Sequence, residues 1–384
     1  AKLAVGTEGA DPLKADVEID PSDIAWLFYT SGTTGKPKGA MLTHRNLLAM
    51  TMNYFADVHT LNSEDVVLHA APLTHGSGLY ALPAIAKGTS NVILHTPSFD
   101  PAIIFDLIQR LRVTTIAFLA PTQIKMLLDG PYQSYDLNSL CCIAYGGGPM
   151  YVKDMKQAVE AFGPVLVQIY GQGEVPMTIS YLRREEHLTG EDPVAERRLA
   201  SAGISRTDVE VRIVDEDDRD AAMGTIGEIV VRGDVVMAGY WKRPEITAET
   251  LRGGWLHTGD LGMMDENGYI YLLDRKKDLV ISGGNNIYPR EIEEVLLMHP
   301  AVYEVAVIGV PDALWGESVK AIVALRPDST TSGEELIAFC QEHLASYKKP
   351  RTVEFIPQLP KNAYGKVLKR ELRELYWQNQ QRRI

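Results

Sequence analysis

Cysteine is scarce in this sequence of 384 residues, and long apolar runs are absent. Of the three cysteines, Cys141 and Cys142 are adjacent and Cys340 is distant, so the sequence holds neither a disulfide framework nor a CxxC metal pair. Apolar runs such as residues 116–120 are far shorter than the roughly 18 residues that a membrane span requires. Charged residues interrupt the first 30 positions, which leaves no apolar core for a secretion signal. We therefore expect a soluble protein of the reducing cytoplasm.

Basic residues are outnumbered as well. The chain has 38 Lys and Arg against 50 Asp and Glu, a net charge of −12, which argues against a protein whose main role is to coat nucleic acid or an anionic membrane. A hydrophobic content of 45% is ordinary for a packed globular chain and excludes a disordered, collagen-like or coiled-coil protein. At roughly 100 to 200 residues per domain, the length predicts two or three domains. An enzyme that acts on small molecules is the leading class.

Charge is distributed unevenly along the chain. Residues 275–384 hold 16 basic and 14 acidic residues, whereas residues 1–274 hold 22 and 36. The C-terminal part alternates strand-like with helical runs, an α+β pattern sufficient for a small domain. The predicted strands there are 305–310, 321–325 and 352–356, and the predicted helices are 289–298 and 334–344. We predict two domains, 1–274 and 275–384, with Pro289 and Ser332 as helix starts in the second.

Upstream, strand-like and helical segments also alternate. Strands are predicted at 25–29, 66–70, 91–94, 115–119 and 165–169, and helices at 45–55 and 101–111. Strands separated by helices predict a largely parallel sheet with helices on its faces, so the fold class of this part is α/β. Runs at 209–214 and 228–232 predict a further antiparallel portion.

The densest chemical signal is the segment at residues 29–39, which reads Tyr-Thr-Ser-Gly-Thr-Thr-Gly-Lys-Pro-Lys-Gly between a predicted strand and a predicted helix. Glycines let backbone N–H groups approach an anion, hydroxyls donate hydrogen bonds and lysines neutralise charge, so the segment predicts a polyphosphate-binding loop. It is not a Walker A loop, because Gly32 and Gly35 are too close together and Pro37 follows Lys36. The alternative is a surface turn, which uses the same residue types.

Two glycine-rich segments follow strand-like runs further along the chain. Residues 145–149 read Tyr-Gly-Gly-Gly-Pro, and residues 170–174 read Tyr-Gly-Gln-Gly-Glu. In a parallel sheet the ligand crevice lies at the carboxyl ends of the strands, so both segments predict backbone that approaches a ligand. Neither is a dinucleotide fingerprint, because the second segment lacks the third glycine. The alternative is a pair of tight turns.

These segments, together with others in the same order and spacing, resemble the motifs of the adenylate-forming superfamily, which includes acyl-CoA synthetases, nonribosomal peptide adenylation domains and firefly luciferase. The other matching segments are 71–76 (Ala-Pro-Leu-Thr-His-Gly), 255–260 (Trp-Leu-His-Thr-Gly-Asp), 274–278 (Asp-Arg-Lys-Lys-Asp), 282–293 (Ser-Gly-Gly-Asn-Asn-Ile-Tyr-Pro-Arg-Glu-Ile-Glu) and 360–366 (Pro-Lys-Asn-Ala-Tyr-Gly-Lys). The resemblance covers nearly the whole chain. It implies a large N-terminal domain with parallel-type sheets covered by helices and a β-barrel-like portion, followed by a small mobile α+β C-terminal domain.

The resemblance implies an activity in two steps, that of the acyl-CoA synthetase branch. A carboxylic acid, by resemblance a fatty acid, attacks the α-phosphate of ATP to give an acyl-AMP and pyrophosphate. The thiol of CoA then displaces AMP. ATP, Mg²⁺ and CoA are thus the implied cofactors, and small molecules rather than nucleic acid are the implied partners. A homodimer is a further expectation from the resemblance.

The resemblance also assigns residues to the nucleotide. The implied ATP- and acyl-adenylate-binding residues are Thr30, Ser31, Gly32, Thr33, Thr34, Gly35, Lys36, Gly146, Gly147, Gly148, Tyr170, Gly171, Gln172, Asp260 and Arg275. Within this set, Tyr170 would stack on adenine and Asp260 would accept the ribose hydroxyls. Thr30 and Glu174 would hold Mg²⁺ through hard oxygen ligands.

The catalytic residues that the resemblance implies are Lys366, His75 and Glu174. Lys366, near the chain end, would balance the charge that develops during adenylation. His75 would lie at the carboxylate substrate channel. The small residues Gly76, Gly78 and Ala81 after it would leave room for an acyl chain or ring, although small residues also serve close packing. Read alone, such a histidine is more often a core residue, and such a lysine is ordinarily a surface charge.

The second step is assigned to the start of the C-terminal domain. Gly283 and Gly284 would line the CoA tunnel, and Lys277 would be the hinge about which the small domain rotates between the two steps. A run of charges such as 275–278 is otherwise a solvated loop.

The sequence departs from the superfamily pattern in three places. Gly173 stands where Thr is usual, and the loss of one hydrogen bond to a charged group is worth about 1.5–3 kcal/mol. Asn285 replaces a more frequent Glu. Far fewer residues than usual precede the phosphate loop, which is compatible with a shortened N-terminal subdomain, with a fragment of a longer protein or with a protein that has a second chain. Two alternatives stay open: an adenylation enzyme that loads a carrier-protein thiol, and an inactive nucleotide-binding remnant.

Overall fold

The computed structural model describes residues 18–30, 37–96, 98–148, 150–188, 190, 192–276, 278–361 and 367–378. Its mixed α/β architecture contains a hairpin, a large mixed sheet, an antiparallel sheet and a C-terminal sheet.

The hairpin carries the predicted phosphate loop between its strands. Strand β1 (Ile24–Thr30) pairs antiparallel with strand β2 (Lys38–Thr43), and Thr30 is the register partner of Lys38. Helix α1 (His44–Asp57) follows at once, because the side chain of Thr43 accepts a hydrogen bond from Asn46 N and caps the helix. The sequence predicted a strand, the loop and then a helix. The structure inserts β2 before that helix, so both ends of the loop are held by one antiparallel pair.

The large sheet has seven strands in the order β4-β3-β5-β6-β7-β8-β9. Its strands are β3 (Val66–His69), β4 (Ser90–Ile93), β5 (Thr115–Leu119), β6 (Cys142–Gly146), β7 (Leu166–Gln172), β8 (Val175–Leu182) and β9 (Ile204–Ser205). Neighbouring strands are parallel from β4 to β7, whereas β8 and β9 are antiparallel to their neighbours. The parallel sheet that the alternation of segments predicted is therefore confirmed.

Helices cover both faces of this sheet. They are α2 (Gly76–Leu79), α3 (Ala81–Ala86), α4 (Pro101–Leu111), α5 (Pro121–Leu128), α6 (Val152–Phe162) and α7 (Pro193–Leu199), with short 3-10 turns at Tyr132–Ser134 and Arg184–His187. Apolar side chains of α4 and α5, such as Ile104 and Ile124, pack in one cluster with the sheet. Those of α1, such as Met50, pack in another with β7 and β8. Because both faces are covered, every residue of β5 is buried, and all of them except Thr115 are apolar.

The antiparallel sheet has the order β10-β11-β12-β13. Its strands are β10 (Glu210–Val214), β11 (Gly227–Arg232), β12 (Leu256–Met264) and β13 (Ile270–Arg275), with helix α8 (Pro244–Thr250) and a 3-10 turn at Arg252–Gly254 between β11 and β12. Asp260 on β12 is the register partner of Arg275 on β13. Two residues that the resemblance assigns to the nucleotide are therefore neighbours on one ladder.

The C-terminal sheet has the order β15-β14-β17-β16, with β18 parallel to β17. Its elements are β14 (Val280–Ser282), β15 (Asn285–Ile287), α9 (Pro289–Met298), β16 (Val302–Asp312), β17 (Gly316–Leu325), α10 (Gly333–His343), β18 (Thr352–Phe355) and α11 (Lys369–Trp377). Pro289 begins α9 as predicted, and Ser332 caps α10 through Glu335 N at 3.1 Å. Side chains join this part to the preceding sheets: Lys125 Nζ, for example, donates to the carbonyl of Tyr303 at 2.8 Å.

Within the residues that the structure describes, the helices lack the combination of length and apolar character that is needed to cross a lipid bilayer.

Candidate active site

Glu174 is the centre of a hydroxyl–carboxylate cluster at the base of the phosphate loop. It lies in the turn between β7 and β8 and is only 8% exposed. The hydroxyl of Thr30, the last residue of β1, donates to Glu174 Oε1 at 3.1 Å. The hydroxyl of Tyr240 donates to the same oxygen at 2.7 Å. The structure therefore brings together the two residues that the resemblance implies as magnesium ligands, although 144 positions separate them in sequence.

Asp260 is the centre of a second cluster, formed by β7, β12 and β13. Its Oδ2 atom accepts hydrogen bonds from the hydroxyl of Tyr170 and from Gln172 Nε2, each at 2.8 Å. Its Oδ1 atom lies 3.2 Å from Nε of Arg275. Gln172 Nε2 also donates to the carbonyl of Thr258 at 2.9 Å. Asp260 is thus a buried, oriented carboxylate within strand β12.

The two clusters belong to one site. Gln172 ends β7 and contacts Asp260, and Glu174 follows it by two positions. Arg275 interacts electrostatically with Asp260 and also with Tyr170 and Glu174. The site lies at the carboxyl ends of β6 and β7, where ligands of parallel α/β sheets bind.

The two tyrosine hydroxyls of the site act as hydrogen-bond donors. Burial, and then the nearby Asp260 carboxylate, raise the pKa of Tyr170 well above its ordinary value. Burial and the Glu174 carboxylate likewise raise the pKa of Tyr240. Both hydroxyls therefore keep their protons at neutral pH. Each donates a hydrogen bond that orients a carboxylate and adds no second negative charge beside it.

Glycines allow the close backbone approach that this site requires. A Cβ atom on Gly146 would lie 2.2 Å from the carbonyl oxygen of Ile169, and one on Gly171 would lie 2.4 Å from Cα of Met177. Any side chain at either position would push β7 away from its neighbours. Gly148 differs, because no described atom lies within 4 Å of its Cβ position. Its backbone borders open space, where a ligand can approach.

His75 lies beside a wall of apolar side chains near the glycine-rich segment. It precedes α2, and its ring centroid is 5.7 Å from that of Phe118. A Cβ on Gly76 would lie 2.6 Å from Sδ of Met177, and one on Gly147 would lie 3.4 Å from Cζ of Phe118. Gly76 therefore serves close packing rather than leaving the room that the sequence suggested.

Gly78 also serves close packing, since a Cβ atom at this position would lie 1.8 Å from the carbonyl oxygen of Leu73. Both glycines after His75 let helix α2 pack closely against its surroundings.

Gly173 packs against strand β1, which precedes the predicted phosphate loop. A Cβ at this position would lie 2.5 Å from Cγ2 of Thr30 and 2.6 Å from Cδ1 of Phe28. The side chains of β1 thus occupy the space that a threonine would need. A residue larger than glycine at position 173 would therefore require a shift of these side chains or of the turn.

Gly283 and Gly284 form the turn between β14 and β15, with φ angles of +57° and +80° that favour glycine. A Cβ on Gly283 would lie 2.4 Å from Cε3 of Trp315. The guanidinium of Arg351 lies 5.1 Å from the centroid of the same ring. Arg351 also lines a cavity of about 390 Å³ together with Lys349. The contacts described for these glycines are thus with their own sheet.

Several predicted residues lie outside the residues that the structure describes. These are Ser31, Gly32, Thr33, Thr34, Gly35, Lys36, Lys277 and Lys366.

Sequence reasoning missed Tyr240 and Phe118. Tyr240 follows Gly239, whose φ of +136° marks an unusual turn, but a glycine before an aromatic residue is a weak signal. Phe118 lies inside an apolar strand and gives no signal that separates it from core residues.

The residues around Glu174 fit a magnesium ion. Mg²⁺ in nucleotide sites is usually held by one or two carboxylates together with phosphate oxygens. Glu174 supplies one buried carboxylate, and both described hydroxyl donors bind its Oε1, so neither engages Oε2. Groups of three or more His, Cys, Asp or Glu that could hold a metal by themselves are absent from the described residues. The donor set therefore suits an ion that is shared with ATP.

Two protein families match the sequence. The family described as AMP-binding enzyme matches residues 2–241, and the AMP-binding enzyme C-terminal domain matches residues 291–366. The chain is 41% identical over 372 residues to a feruloyl-CoA synthase of Amycolatopsis sp, with 96% of this chain and 73% of that protein covered. It is 40% identical over 362 residues to a long-chain-fatty-acid–CoA ligase of Bacillus subtilis strain 168, with 93% of this chain and 63% of that protein covered.

Solved structures show the same architecture. The amide bond synthetase McbA from Marinactinospora thermotolerans superimposes with a TM-score of 0.85 at 34% identity, covering 93% of this chain and 70% of that one. The o-succinylbenzoate CoA synthetase MenE from Bacillus subtilis, in complex with an acyl-adenylate intermediate, superimposes with a TM-score of 0.83 at 35% identity, covering 95% and 72%.

Proposed function

We propose, because the chain belongs to the family of AMP-binding enzymes, that it activates a carboxylic acid with ATP and transfers the acyl group to the thiol of CoA. The family matches and the CoA-ligase relatives support an AMP-forming acid–thiol ligase of the adenylate-forming superfamily. The observation that carries the proposal is the convergence of Thr30, Glu174 and Asp260 on one edge of the sheet.

ATP is proposed to lie along this edge, with its ribose at Asp260 and its phosphates at the loop after Thr30. The Asp260 carboxylate, held by Tyr170 and Gln172, would accept hydrogen bonds from both ribose hydroxyls. The Tyr170 ring would flank the adenine. Residues 31–36 would surround the phosphates with hydroxyls, backbone N–H groups and the ammonium of a lysine, as their composition suggests.

Thr30 and Glu174 are the proposed protein ligands of Mg²⁺. When bound, the ion would supply positive charge that stabilises the phosphate oxygens as charge develops on them. Glu174 is already oriented for this role by two hydroxyl donors, so little side-chain freedom remains to be lost on binding.

The proposed first step replaces the phosphoric anhydride bond between the α- and β-phosphates of ATP by the mixed anhydride bond of acyl-AMP. A carboxylate oxygen of the acid forms a bond to the α-phosphorus of ATP, and the bond from that phosphorus to the pyrophosphate oxygen breaks. The work of the protein is positioning and charge stabilisation. A cation about 4 Å from the developing charge, as proposed for Lys366, is worth roughly 4 kcal/mol at an effective dielectric constant near 20, before desolvation is counted. In the second step the thiolate sulfur of CoA attacks the acyl carbon, and the bond from that carbon to AMP breaks.

The acyl group is proposed to lie near His75, Phe118 and Gly147. The aromatic and sulfur-containing wall formed by Phe118 and Met177 suits an apolar acid. We favour a medium- or long-chain fatty acid. An aryl acid is the second candidate, because one relative at 41% identity is named a feruloyl-CoA synthase.

The surface around Trp315 is proposed to receive the nucleotide part of CoA. Trp315 is 39% exposed, so its ring can stack on an adenine. Arg351, next to that ring, and Lys349, which lines a cavity together with Arg351, offer positive charge to phosphates. Gly283 packs directly on this ring, so the proposed tunnel residues and this surface adjoin each other. A carrier protein would not require such a nucleotide-binding surface.

Residues 1–274 and 275–384 are proposed as the two domains, with Lys277 as the hinge. Lys366 would serve the first step and Gly283 with Gly284 the second, after the small domain rotates. The CoA-ligase relatives favour an active enzyme over the inactive-remnant alternative, and acid-dependent pyrophosphate release distinguishes the two. A cytoplasmic location is proposed from the unpaired cysteines, and a homodimer from the resemblance; analytical ultracentrifugation tests the latter.

Pyrophosphate release from MgATP, measured over a panel of fatty and aryl acids, tests the proposed function. We expect release that depends on the added acid, and a thioester product when CoA is present. Holo carrier protein and a simple amine serve as competing acceptors, because the similar structure of McbA is that of an amide bond synthetase. MgATP binding without acid-dependent pyrophosphate release would contradict the proposal.

Arg351→Gln tests the proposed CoA surface. We expect the KM for CoA to rise about tenfold, because one charge-assisted hydrogen bond is lost, while pyrophosphate release and the KM for pantetheine stay unchanged. Arg370→Gln, which removes an exposed arginine paired with Glu374 in the same part of the chain, is the matched control. An equal rise in KM for CoA and pantetheine would refute the assignment.

A further inference from the structure

Tyr240 is a buried tyrosine, 4% exposed, at the base of the phosphate loop. Its hydroxyl donates to Glu174 Oε1 at 2.7 Å. Its ring faces the ammonium of Lys38, which lies 4.2 Å from the ring centroid. Lys38 is the register partner of Thr30, and Thr30 donates to the same Glu174 oxygen. One side chain therefore contacts both the strand that leaves the loop and the carboxylate that follows β7.

The backbone around Tyr240 is fixed to the same two places. In the segment 237–241, Met237 N donates to the carbonyl of Glu174 at 2.9 Å, and Trp241 N donates to the carbonyl of Gly39 at 2.8 Å. These bonds hold the segment between β2 and the turn that carries Glu174. The position of the Tyr240 side chain is thus set by main-chain geometry and not by its own contacts alone.

The hydroxyl and the ring of Tyr240 make separate interactions. The hydroxyl is the donor to Glu174 Oε1, because a carboxylate oxygen can only accept. The ring face attracts the Lys38 ammonium through a cation–π interaction. A phenylalanine at position 240 would keep the cation–π contact with Lys38 and lose the hydrogen bond to Glu174. This substitution therefore separates the two interactions.

We propose that Tyr240 is a positioning residue for the ATP-dependent step: its hydroxyl orients Glu174 toward the cation, and its ring holds Lys38 beside the polyphosphate. This inference rests on the proposed function, since that function assigns the loop to ATP and Glu174 to Mg²⁺. Tyr240 acts through these two residues and takes no part in bond formation.

Calorimetric binding of ATP with and without Mg²⁺ to Tyr240→Phe and Tyr240→Leu tests the proposal. We expect Tyr240→Phe to weaken MgATP binding about tenfold or more, the effect of one hydrogen bond to a charged group. Binding of ATP in EDTA should change less than twofold. Tyr240→Leu should in addition weaken ATP binding in EDTA about two- to fivefold, because the cation–π contact is lost.

Lys38→Met provides the second arm of the test. Lys38→Met should weaken ATP binding when it is introduced into the wild type or into Tyr240→Phe. Introduced into Tyr240→Leu, it should cause little further loss of ATP binding. The matched control is Tyr269→Phe, which removes another buried tyrosine hydroxyl that donates to a glutamate, Glu186, away from the site. It should bind MgATP as the wild type does.

Three outcomes would overturn the proposal. MgATP binding by Tyr240→Phe within twofold of wild type would show that the hydroxyl does not orient Glu174. Equal losses in Tyr240→Phe and Tyr269→Phe would show a general structural effect. A wild-type chain that binds no ATP would refute the proposed function itself and the inference with it, and the wild-type titration distinguishes that case from the first two.

Discussion

Replacing Gly173 by alanine tests whether the contact between the turn after β7 and the strand β1 controls the site. The added methyl group would lie 2.5 Å from Cγ2 of Thr30 and 2.6 Å from Cδ1 of Phe28. Real Cβ contacts are not this short, so at least one of the two side chains must move. Thr30 is the residue whose hydroxyl donates to Glu174, and any movement of its side chain disturbs that bond.

The size of the effect follows from two terms. Overpacking a buried position typically costs about 1–3 kcal/mol of folding stability. Loss of the Thr30 hydrogen bond to the Glu174 carboxylate is worth about 1.5–3 kcal/mol, which corresponds to a ten- to hundredfold loss in a step that depends on an oriented Glu174. We therefore expect Gly173→Ala to slow acid-dependent pyrophosphate release about ten- to hundredfold. The resemblance alone would predict that a larger residue is tolerated, because the superfamily usually has Thr at this position.

Thr30→Ser supplies the control for this prediction. Serine keeps the hydroxyl and lacks Cγ2, so it removes the shorter of the two clashes while the one with Phe28 stays. The double variant Gly173→Ala with Thr30→Ser should recover part of the rate. The assay is pyrophosphate release at saturating MgATP, with chemical unfolding measured in parallel to separate folding from function.

Two results would refute this reasoning. One is a Gly173→Ala variant as fast as the wild type or faster, since the packing of β1 against the turn would then not matter. The other is a double variant that is as slow as Gly173→Ala, which would show that Thr30 is not the group displaced.

Two further predictions concern the proposed lysine and the acid stability of the large sheet. Lys366→Ala should lower acyl-AMP formation by a hundredfold or more and leave thioester formation from supplied acyl-AMP intact; equal losses in both half-reactions would contradict domain rotation. Burial lowers the pKa of His187 to about 4, so the unfolded chain takes up the proton first as pH falls. Stability should therefore drop between about pH 6.5 and pH 4 by up to roughly 3 kcal/mol from this group, and urea unfolding of His187→Gln should show a shallower drop.

Local sequence rules predicted most elements of the fold. Helix 101–111 begins at a proline after a capping aspartate, and strand 115–119 is apolar after its first residue, Thr115; both have the predicted limits. Helix 289–298 also matches, again with a proline at its first position. These elements depend on neighbouring residues, whose capping and periodicity can be read directly from the sequence.

Contacts between distant segments could not be predicted in this way. Strand β2 has no alternating pattern and becomes a strand because β1 pairs with it. Tyr240 reaches Glu174 from 66 positions away, on a segment outside the named strands and helices. In the sequence, the small residue Gly76 is compatible with space for an acyl group. Only the structure shows that the side chain of Met177 packs against its backbone.

The sequence by itself predicted the fold class and the order of most elements, since these depend on residue type and spacing. Through resemblance it also assigned residues to the nucleotide, and that assignment stays a prediction. Only the tertiary structure decided which carboxylate oxygen each hydroxyl binds, that side chains of β1 lie where a side chain at position 173 would be, and that a tyrosine connects Lys38 to Glu174. The reason is that hydrogen bonds and steric contacts depend on distances of a few ångströms between segments that the order of residues does not bring together.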